Sequence, residues 1–294
     1  YFADVNSETG LLDAENLSDT LSKIPVKPKA VIVVHLNGQC ASMSALKECG
    51  GDIILLEDAC HALGTSEISS PYKTFKIGSC RCSLAAAFSS HAVKTIASGE
   101  GGVVTTNDEC FAEKLRLYRN HGMVRDYDAL DHNPWHYEMH SLGFNYRLTD
   151  IQCALGYSQL SKLDKFVKER AKLKERYSVL LKKLGPYVKP IETVKYSIPA
   201  WHLSVALINF EKLGLSRVDV MRQLYDLGIG TQVHYIPVHR QPYYRSRYGT
   251  FTLRGCEAYY SRCLSLPLWP GMKIEEVDFV VEALADIIDV THDY

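Results

Sequence analysis

The sequence predicts an α/β fold with a mainly parallel central sheet, followed by a small α+β C-terminal domain. Three observations carry this reading. Short apolar runs alternate with stretches of helical periodicity through the first half, the pattern of strands joined by helices. A long helical stretch then follows Thr149. Beyond Gly185-Pro186 the order changes to strands around Trp201–Phe210 and Gly230–Ile236 with a helix between them.

Taken in order, Tyr1-Phe2-Ala3-Asp4-Val5 reads as a strand from the middle of a domain, and Leu12–Leu21 as a helix. The runs Ala30–Val34, Ile53–Leu56, Leu84–Phe88 and Val103–Thr105 read as strands. Between and after them, Ser42–Cys49 and Asp108–Tyr118 have helical spacing and open on residues suited to a helix N-cap. Thr149-Asp150-Ile151-Gln152 is a capping box, in which the threonine and glutamine side chains each satisfy a free backbone donor. It opens what reads as one long helix, with Leu155, Leu163, Phe166, Leu173, Tyr177 and Leu180 at helical spacing. The charges of that helix, Arg170 and Lys174 among them, read as a solvated face. Gly185-Pro186 stops it, and Ser216 caps the next helix. The expected division is a larger unit over 1–165 and a connecting helix with a smaller domain over 166–294. No repeat, low-complexity tract or flexible linker appears.

Composition narrows the function classes. A chain of 294 residues with 46% hydrophobic residues can bury a large core. A formal net charge of −1 gives no electrostatic case for nucleic acid or for an anionic membrane. No apolar run approaches the ~20 residues that span a bilayer. Nine cysteines are scattered without CxxC pairs, which favours reduced thiols and a cytoplasmic setting. The eleven histidines form no HExxH or similar ligand spacing, which argues against a metal site.

Chemistry concentrates at the ends of two predicted strands. Ile53-Ile54-Leu55-Leu56 delivers Glu57-Asp58-Ala59-Cys60-His61, and Leu84–Phe88 delivers Ser89-Ser90-His91-Ala92-Val93-Lys94, followed by Ser98-Gly99-Glu100-Gly101-Gly102. Sheets of this class bind ligands at the carboxyl ends of their strands. An anion, a hydroxyl and an amine at such ends match what a protein must offer pyridoxal 5'-phosphate (PLP): a partner for the ring nitrogen, a donor to the phosphate and an amine for the aldehyde. A carboxylate near the ring nitrogen keeps it protonated, because an opposite charge favours the charged form. A free lysine, with a pKa of about 10.4, is a poor nucleophile until it is linked or desolvated. Each residue also has a plainer reading: Asp58 as a turn residue, Lys94 as solvated surface, and His61 as a buried structural histidine.

Together with Val34-His35-Leu36-Asn37-Gly38-Gln39, Ala62-Leu63-Gly64 and Gly143-Phe144-Asn145-Tyr146-Arg147-Leu148-Thr149-Asp150, these segments resemble the DegT/DnrJ/EryC1/StrS sugar aminotransferases. The resemblance implies the PLP-dependent transferase fold of the aspartate aminotransferase type (fold type I), with PLP as cofactor. It implies Lys94 as the catalytic residue that holds the cofactor's aldehyde and carries a proton. It further implies Asp58 at the ring nitrogen, His61 near the ring and its 3-oxygen, and Ser89 on the phosphate. The long segment Arg119–Asn145 would cross to a neighbouring subunit, so the resemblance implies a homodimer with shared sites, in which Asn145 reaches the other cofactor's phosphate. Its alternative reading is a turn residue before a helix cap.

Pro134-Trp135-His136-Tyr137-Glu138-Met139, Gln232-Val233-His234-Tyr235-Ile236-Pro237-Val238-His239 and Leu264-Ser265-Leu266-Pro267-Leu268 resemble the branch of that family acting on nucleotide-linked 4-keto sugars of the pseudaminic acid type. A nucleotide-sugar substrate and an amino-acid donor, glutamate, are the implied partners. His234, Tyr235 and His239 are candidates on the substrate side, with core packing the plainer reading of Tyr235. The chain departs from the family pattern at Ser90, Ala92 and Leu84. Members of the family carry part of the large domain upstream of the point matching Tyr1, so the chain reads as N-terminally incomplete. Two alternatives follow: an inactive member with a structural role, and a PLP-dependent sugar dehydratase. In the dehydratase the lysine is replaced by histidine, so Lys94 argues against it.

Overall fold

A computed structural model describes residues 1–125 and 133–289. The first half runs α1 (Ala14–Lys23), β1 (Ala30–Val34), α2 (Met43–Gly50), β2 (Ile54–Asp58), β3 (Ser66–Ser70), β4 (Lys73–Lys76), β5 (Ala85–Ser89), β6 (Gly102–Thr105) and α3 (Glu109–Arg119). The central sheet has the order β1-β2-β5-β6. Its first three strands are parallel and β6 is antiparallel, which makes the sheet mainly parallel, as expected. The register sets Val34 beside Asp58 and Asp58 beside Ala87, so the strands reach their carboxyl ends together.

Local chemistry explains these elements. Asp13, Ser42 and Asp108 each accept a backbone N–H from the first turn of the helix that follows. Leu17 of α1 and Met43 and Leu46 of α2 bury against Val33 and Leu55 on one face of the sheet. Side chains alternate along a strand, and the other face of β1 shows Ile32, 67% exposed in this chain.

The second half contains β7 (Met123–Val124) and β8 (Glu138–Met139), then α4 (Asp150–Leu160), α5 (Leu163–Leu181), β9 (Val188–Pro190), β10 (Ser197–Ile198), β11 (Ser204–Ile208) and α6 (Phe210–Leu213). It continues through α7 (Arg217–Asp226), α8 (Pro242–Tyr248), α9 (Arg254–Arg262), β12 (Cys263–Leu266) and α10 (Ile274–Asp289). An antiparallel sheet, β12-β11-β9, is covered by α5, α7 and α10. Tyr177, Leu181, Leu224, Leu264 and Leu284 fill the core between them. β10 returns to the first half and pairs with β3, beside β4. The segment Arg119–Asn145 carries the short ladder of β7 with β8; its residues 126–132 lie outside the described residues.

Four expectations are corrected. The predicted long helix is two, α4 and α5, with Ser161 and Lys162 between them. The Ser161 hydroxyl donates to the Ser158 carbonyl, a local bond that competes with the helical ladder. No residue of α4 is buried, whereas α5 buries five.

Arg170 and Lys174 are not solvated: they are 5% and 2% exposed. The Arg170 guanidinium donates to the carbonyls of His202 and Leu268, at 3.0 and 2.9 Å. The Lys174 ammonium donates to Ser178 Oγ and lies 5.1 Å from the Trp201 ring centroid. Since α5 is enclosed by α10 and the β11 sheet, its charges take carbonyl, hydroxyl and aromatic partners in place of water.

Gly230–Ile236 is no strand. Gln232 makes a single bridge to Ser265, and the residues after it turn toward the first half. Tyr1–Val5 also forms no strand. Both carboxylate oxygens of Asp4 cap the start of α9, accepting the N–H groups of Gly255 and Cys256, each at 2.8 Å.

The fold makes one stability prediction. Leu284 is fully buried in α10, so Leu284→Ala is expected to lower the unfolding free energy by about 2–5 kcal/mol. Val179→Ala on the exposed side of α5 is expected to stay within about 0.5 kcal/mol. Urea unfolding followed by circular dichroism checks both, and equal midpoints for the two variants would contradict the packing described.

Candidate active site

The site is built where β2 and β5 end. Glu57, the penultimate residue of β2, is buried and accepts from the Ser83 hydroxyl and from His35 Nε2 at 3.0 Å. His35 Nδ1 accepts the Ala41 N–H at 3.1 Å, which leaves the ring's proton on Nε2, facing the carboxylate. Burial pushes the Glu57 carboxyl up, but its bonds to His35 and Ser83 outweigh that and hold it below the usual carboxylate range.

Alternation along the strand turns the next side chain, Asp58, to the opposite face. Asp58 Oδ1 accepts the Cys60 N–H at 3.1 Å, and the Ala59 N–H reaches the Ala87 carbonyl at 2.8 Å. This turn places His61, which is buried, beside the end of β5.

Past β5, Ser89 Oγ accepts the His91 N–H at 3.3 Å, and the Lys94 N–H closes a turn on the His91 carbonyl at 2.9 Å. The Ser90 N–H donates to the Gly101 carbonyl at 3.0 Å. Gly101 has φ +145°, and a Cβ there would lie 2.9 Å from Ser90 Oγ and 2.8 Å from Leu148, so only glycine lets the turn close. The Lys94 amine is half-buried. Burial lowers its pKa, with Cys60 and Asp58 opposing. Burial, then Asp58, pushes the Cys60 thiol up to about 11.

The second half completes the cluster. Tyr235 Oη lies 3.1 Å from His61 Nε2, His234 Nδ1 lies 2.7 Å from Ser265 Oγ, and the His202 ring centroid is 4.4 Å from that of His61. Burial, then the charges of Lys94 and His234, lowers the His61 pKa to about 3. Burial, then His61 and Arg170, lowers that of His202 to about 2. Both rings are therefore neutral at neutral pH.

Of the residues singled out in the sequence, Asp58, His61 and Lys94 meet in one electrostatic cluster, with Ser89 on the adjoining turn. His234 and Tyr235 join them. Tyr235 is not a core residue: it is 53% exposed and its hydroxyl bonds His61. His239 does not join. It is buried, bonds Glu257 at 3.1 Å and stacks on Phe251 at 5.2 Å, which occupies the ring within its own half. Asn145 is exposed and bridges Asn120 through the backbone. Sequence reasoning missed His202, whose one signal is a histidine at the head of the apolar run Leu203–Ile208.

These side chains suit PLP on one further observation. His61 Nδ1 is buried without a hydrogen-bond partner, a polar atom that an oxygen on a bound ring would satisfy. Together with the Asp58 carboxylate, the Ser89 hydroxyl and the Lys94 amine, the donor set fits the cofactor's aldehyde, ring nitrogen and phosphate. Among the described residues no group of histidine, cysteine and acidic side chains fits a metal ion, all nine cysteines are unpaired, and no helix is long and apolar enough to cross a membrane.

The model of the DegT/DnrJ/EryC1/StrS aminotransferase family matches residues 1–285. The spore coat polysaccharide biosynthesis protein SpsC of Bacillus subtilis is 37% identical over 294 residues, covering 98% of this chain and 73% of that protein. Among solved structures, Helicobacter pylori PseC, an aminotransferase involved in the biosynthesis of pseudoaminic acid, superposes with a TM-score of 0.86 at 29% identity. That match covers 99% of this chain and 74% of PseC. A putative sugar aminotransferase from Streptococcus pneumoniae in its PLP form superposes with a TM-score of 0.83 at 22% identity, over 99% of this chain and 75% of the other, a likeness of fold.

The depressed histidines give a pH prediction. Unfolded, His61 and His202 titrate near their ordinary value of 6.5; folded, they resist protonation down to about 3 and about 2. Below pH 6.5 the unfolded chain therefore binds more protons, and stability falls as pH falls toward those folded values, by at most about 1.4 kcal/mol per pH unit for each ring. His202→Asn is expected to flatten the slope of unfolding free energy between pH 6.5 and 4.5. A slope identical to the parent's would refute the burial of a neutral ring.

Proposed function

Because this chain belongs to the DegT/DnrJ/EryC1/StrS aminotransferase family, whose aminotransferases depend on PLP, we propose that it moves an amino group from glutamate to C4 of a nucleotide-linked 4-keto-6-deoxy sugar. The observation that carries the reading is the meeting of the Lys94 amine, the Asp58 carboxylate and the unpaired His61 Nδ1 at adjacent strand ends. The names of two relatives support the sugar: one serves spore coat polysaccharide biosynthesis, the other the biosynthesis of pseudoaminic acid.

When bound, PLP supplies an aldehyde to accept the amino group and a protonated ring to draw off an electron pair. Asp58 keeps the proton on the ring nitrogen. Lys94 would hold the aldehyde, and its Nζ would move the proton. Its partial desolvation raises the share of neutral amine at neutral pH. Ser89 would donate to the phosphate, and His61 Nδ1, unpaired in this chain, would serve the ring oxygen. Asn145 contributes to the phosphate site of a second copy in a homodimer. His234 and Tyr235 border the space where the sugar enters.

Three measurements test this. Incubation with PLP, borohydride reduction and peptide mapping are expected to place the label on Lys94; label on another lysine overturns the assignment. Asp58→Asn is expected to retain PLP while transamination falls on the order of 10²–10³-fold, the cost typical of removing one preorganised electrostatic partner. With glutamate as donor, UDP- and dTDP-4-keto sugars are expected to be better amino acceptors than pyruvate or oxaloacetate. The opposite preference would overturn the sugar.

A further inference from the structure

His61 is buried, so neither ring nitrogen is satisfied by bulk water. Nε2 has one partner, Tyr235 Oη at 3.1 Å. Nδ1 has none. A neutral imidazole carries one N–H and one lone pair, so the direction of the Tyr235 bond decides which nitrogen holds the proton. A phenol donates better than it accepts, because its lone pair is drawn into the ring, and an unprotonated imidazole nitrogen is the stronger acceptor of the pair. The preferred arrangement is therefore O–H to Nε2.

We propose that Tyr235 is a positioning residue: its phenol donates to His61 Nε2 and so keeps the ring's proton on Nδ1. The groups around the pair sustain this. Burial, then Asp58 and Cys60, raises the Tyr235 pKa, so the phenol keeps its proton. Burial, then Lys94 and His234, holds His61 neutral, with Asp58 alone opposing. The His202 ring packs against His61 at 4.4 Å and restrains its plane.

The reach of the contact is the unusual part. Tyr235 and His61 are 174 positions apart, and Tyr235 follows Gln232, which is tied to β12. The proton of a residue in the first half is thereby set by a residue anchored in the second. Tyr235 is more than half exposed, so its hydroxyl, not its bulk, is what the site uses. Where the proposed function holds, the Nδ1–H would serve the oxygen on the cofactor ring; the tautomer itself does not rest on that reading.

The test uses the full chain with 15N-labelled histidine and long-range proton–nitrogen spectra, in which protonated and unprotonated ring nitrogens are far apart. His61→Gln identifies the His61 signals. His35 is the internal standard, since the Ala41 N–H on its Nδ1 keeps its proton on Nε2. The expected result is a protonated Nδ1 for His61 in the parent and a shift of the proton to Nε2 in Tyr235→Phe, with the His35 signals unchanged. A protonated Nε2 in the parent overturns the proposal. So does a Tyr235→Phe chain that keeps the proton on Nδ1 with the His35 signals intact. If the His35 pattern were lost in that variant, the parent spectrum alone would decide. Borohydride trapping of PLP on the parent runs alongside: its failure counts against the proposed function and leaves the tautomer result standing.

Discussion

A carboxylate cannot be buried without partners, and Glu57 is buried at the end of β2, where the chain must stop being a strand and begin to present chemistry. Its two oxygens take the His35 and Ser83 side chains, and His35 is itself fixed by the Ala41 N–H. Three segments are thereby tied at one point: the residues after β1, the entry to α2 and the approach to β5. Removing one of these partners leaves a buried carboxylate oxygen unsatisfied, at a cost of about 1–3 kcal/mol or more because the group is charged. The placement of Asp58 depends on this anchor. Alternation forces it to the face opposite Glu57, and the register with Ala87 sets it level with the end of β5.

The second constraint is the close approach of the two halves. Gly38 has φ +97°, and a Cβ there would lie 2.2 Å from the Ala200 carbonyl, so only a glycine lets the chain after β1 pass against the residues before β11. Thr65 Oγ1 donates to the Gly38 carbonyl at 2.8 Å and accepts the Ala200 N–H at 3.1 Å, while Asn37 reaches Tyr259 Oη at 3.1 Å. This seam carries His202 to the face of His61. The site is thus shared by two sheets that have separate cores.

What was legible in the sequence follows from which interactions are local. The strands ending in Asp58 and Ser89 stood out because apolar runs of β-branched and aliphatic residues stop at polar ones, and the helix starts because Asp108, Thr149 and Ser216 bond within their own first turns. The wrong readings share the opposite cause. Arg170 and Lys174 look like surface charges until α10 and the residues around Trp201 close over α5, which only tertiary packing determines. His239 stood near the candidate His234 in sequence, yet Glu257, 18 residues on, claims it. His202 carried no motif because its importance is its contact with His61, 141 positions earlier.

Electrostatically, these constraints converge on Lys94. Burial lowers the pKa values of His61, His202 and His234, and the positive charge of Lys94 lowers each further. The coupling is reciprocal, since a ring that stays neutral adds no positive charge to oppose a proton on the lysine. Three histidines therefore stand near the amine as dipoles, with Asp58 as the nearby acid that helps keep it charged. A desolvated lysine among neutral imidazoles and a single carboxylate can give up its proton more readily than one in water, yet still attracts an anion. That balance depends on the imidazoles remaining uncharged, which only a site closed from both halves of the chain provides.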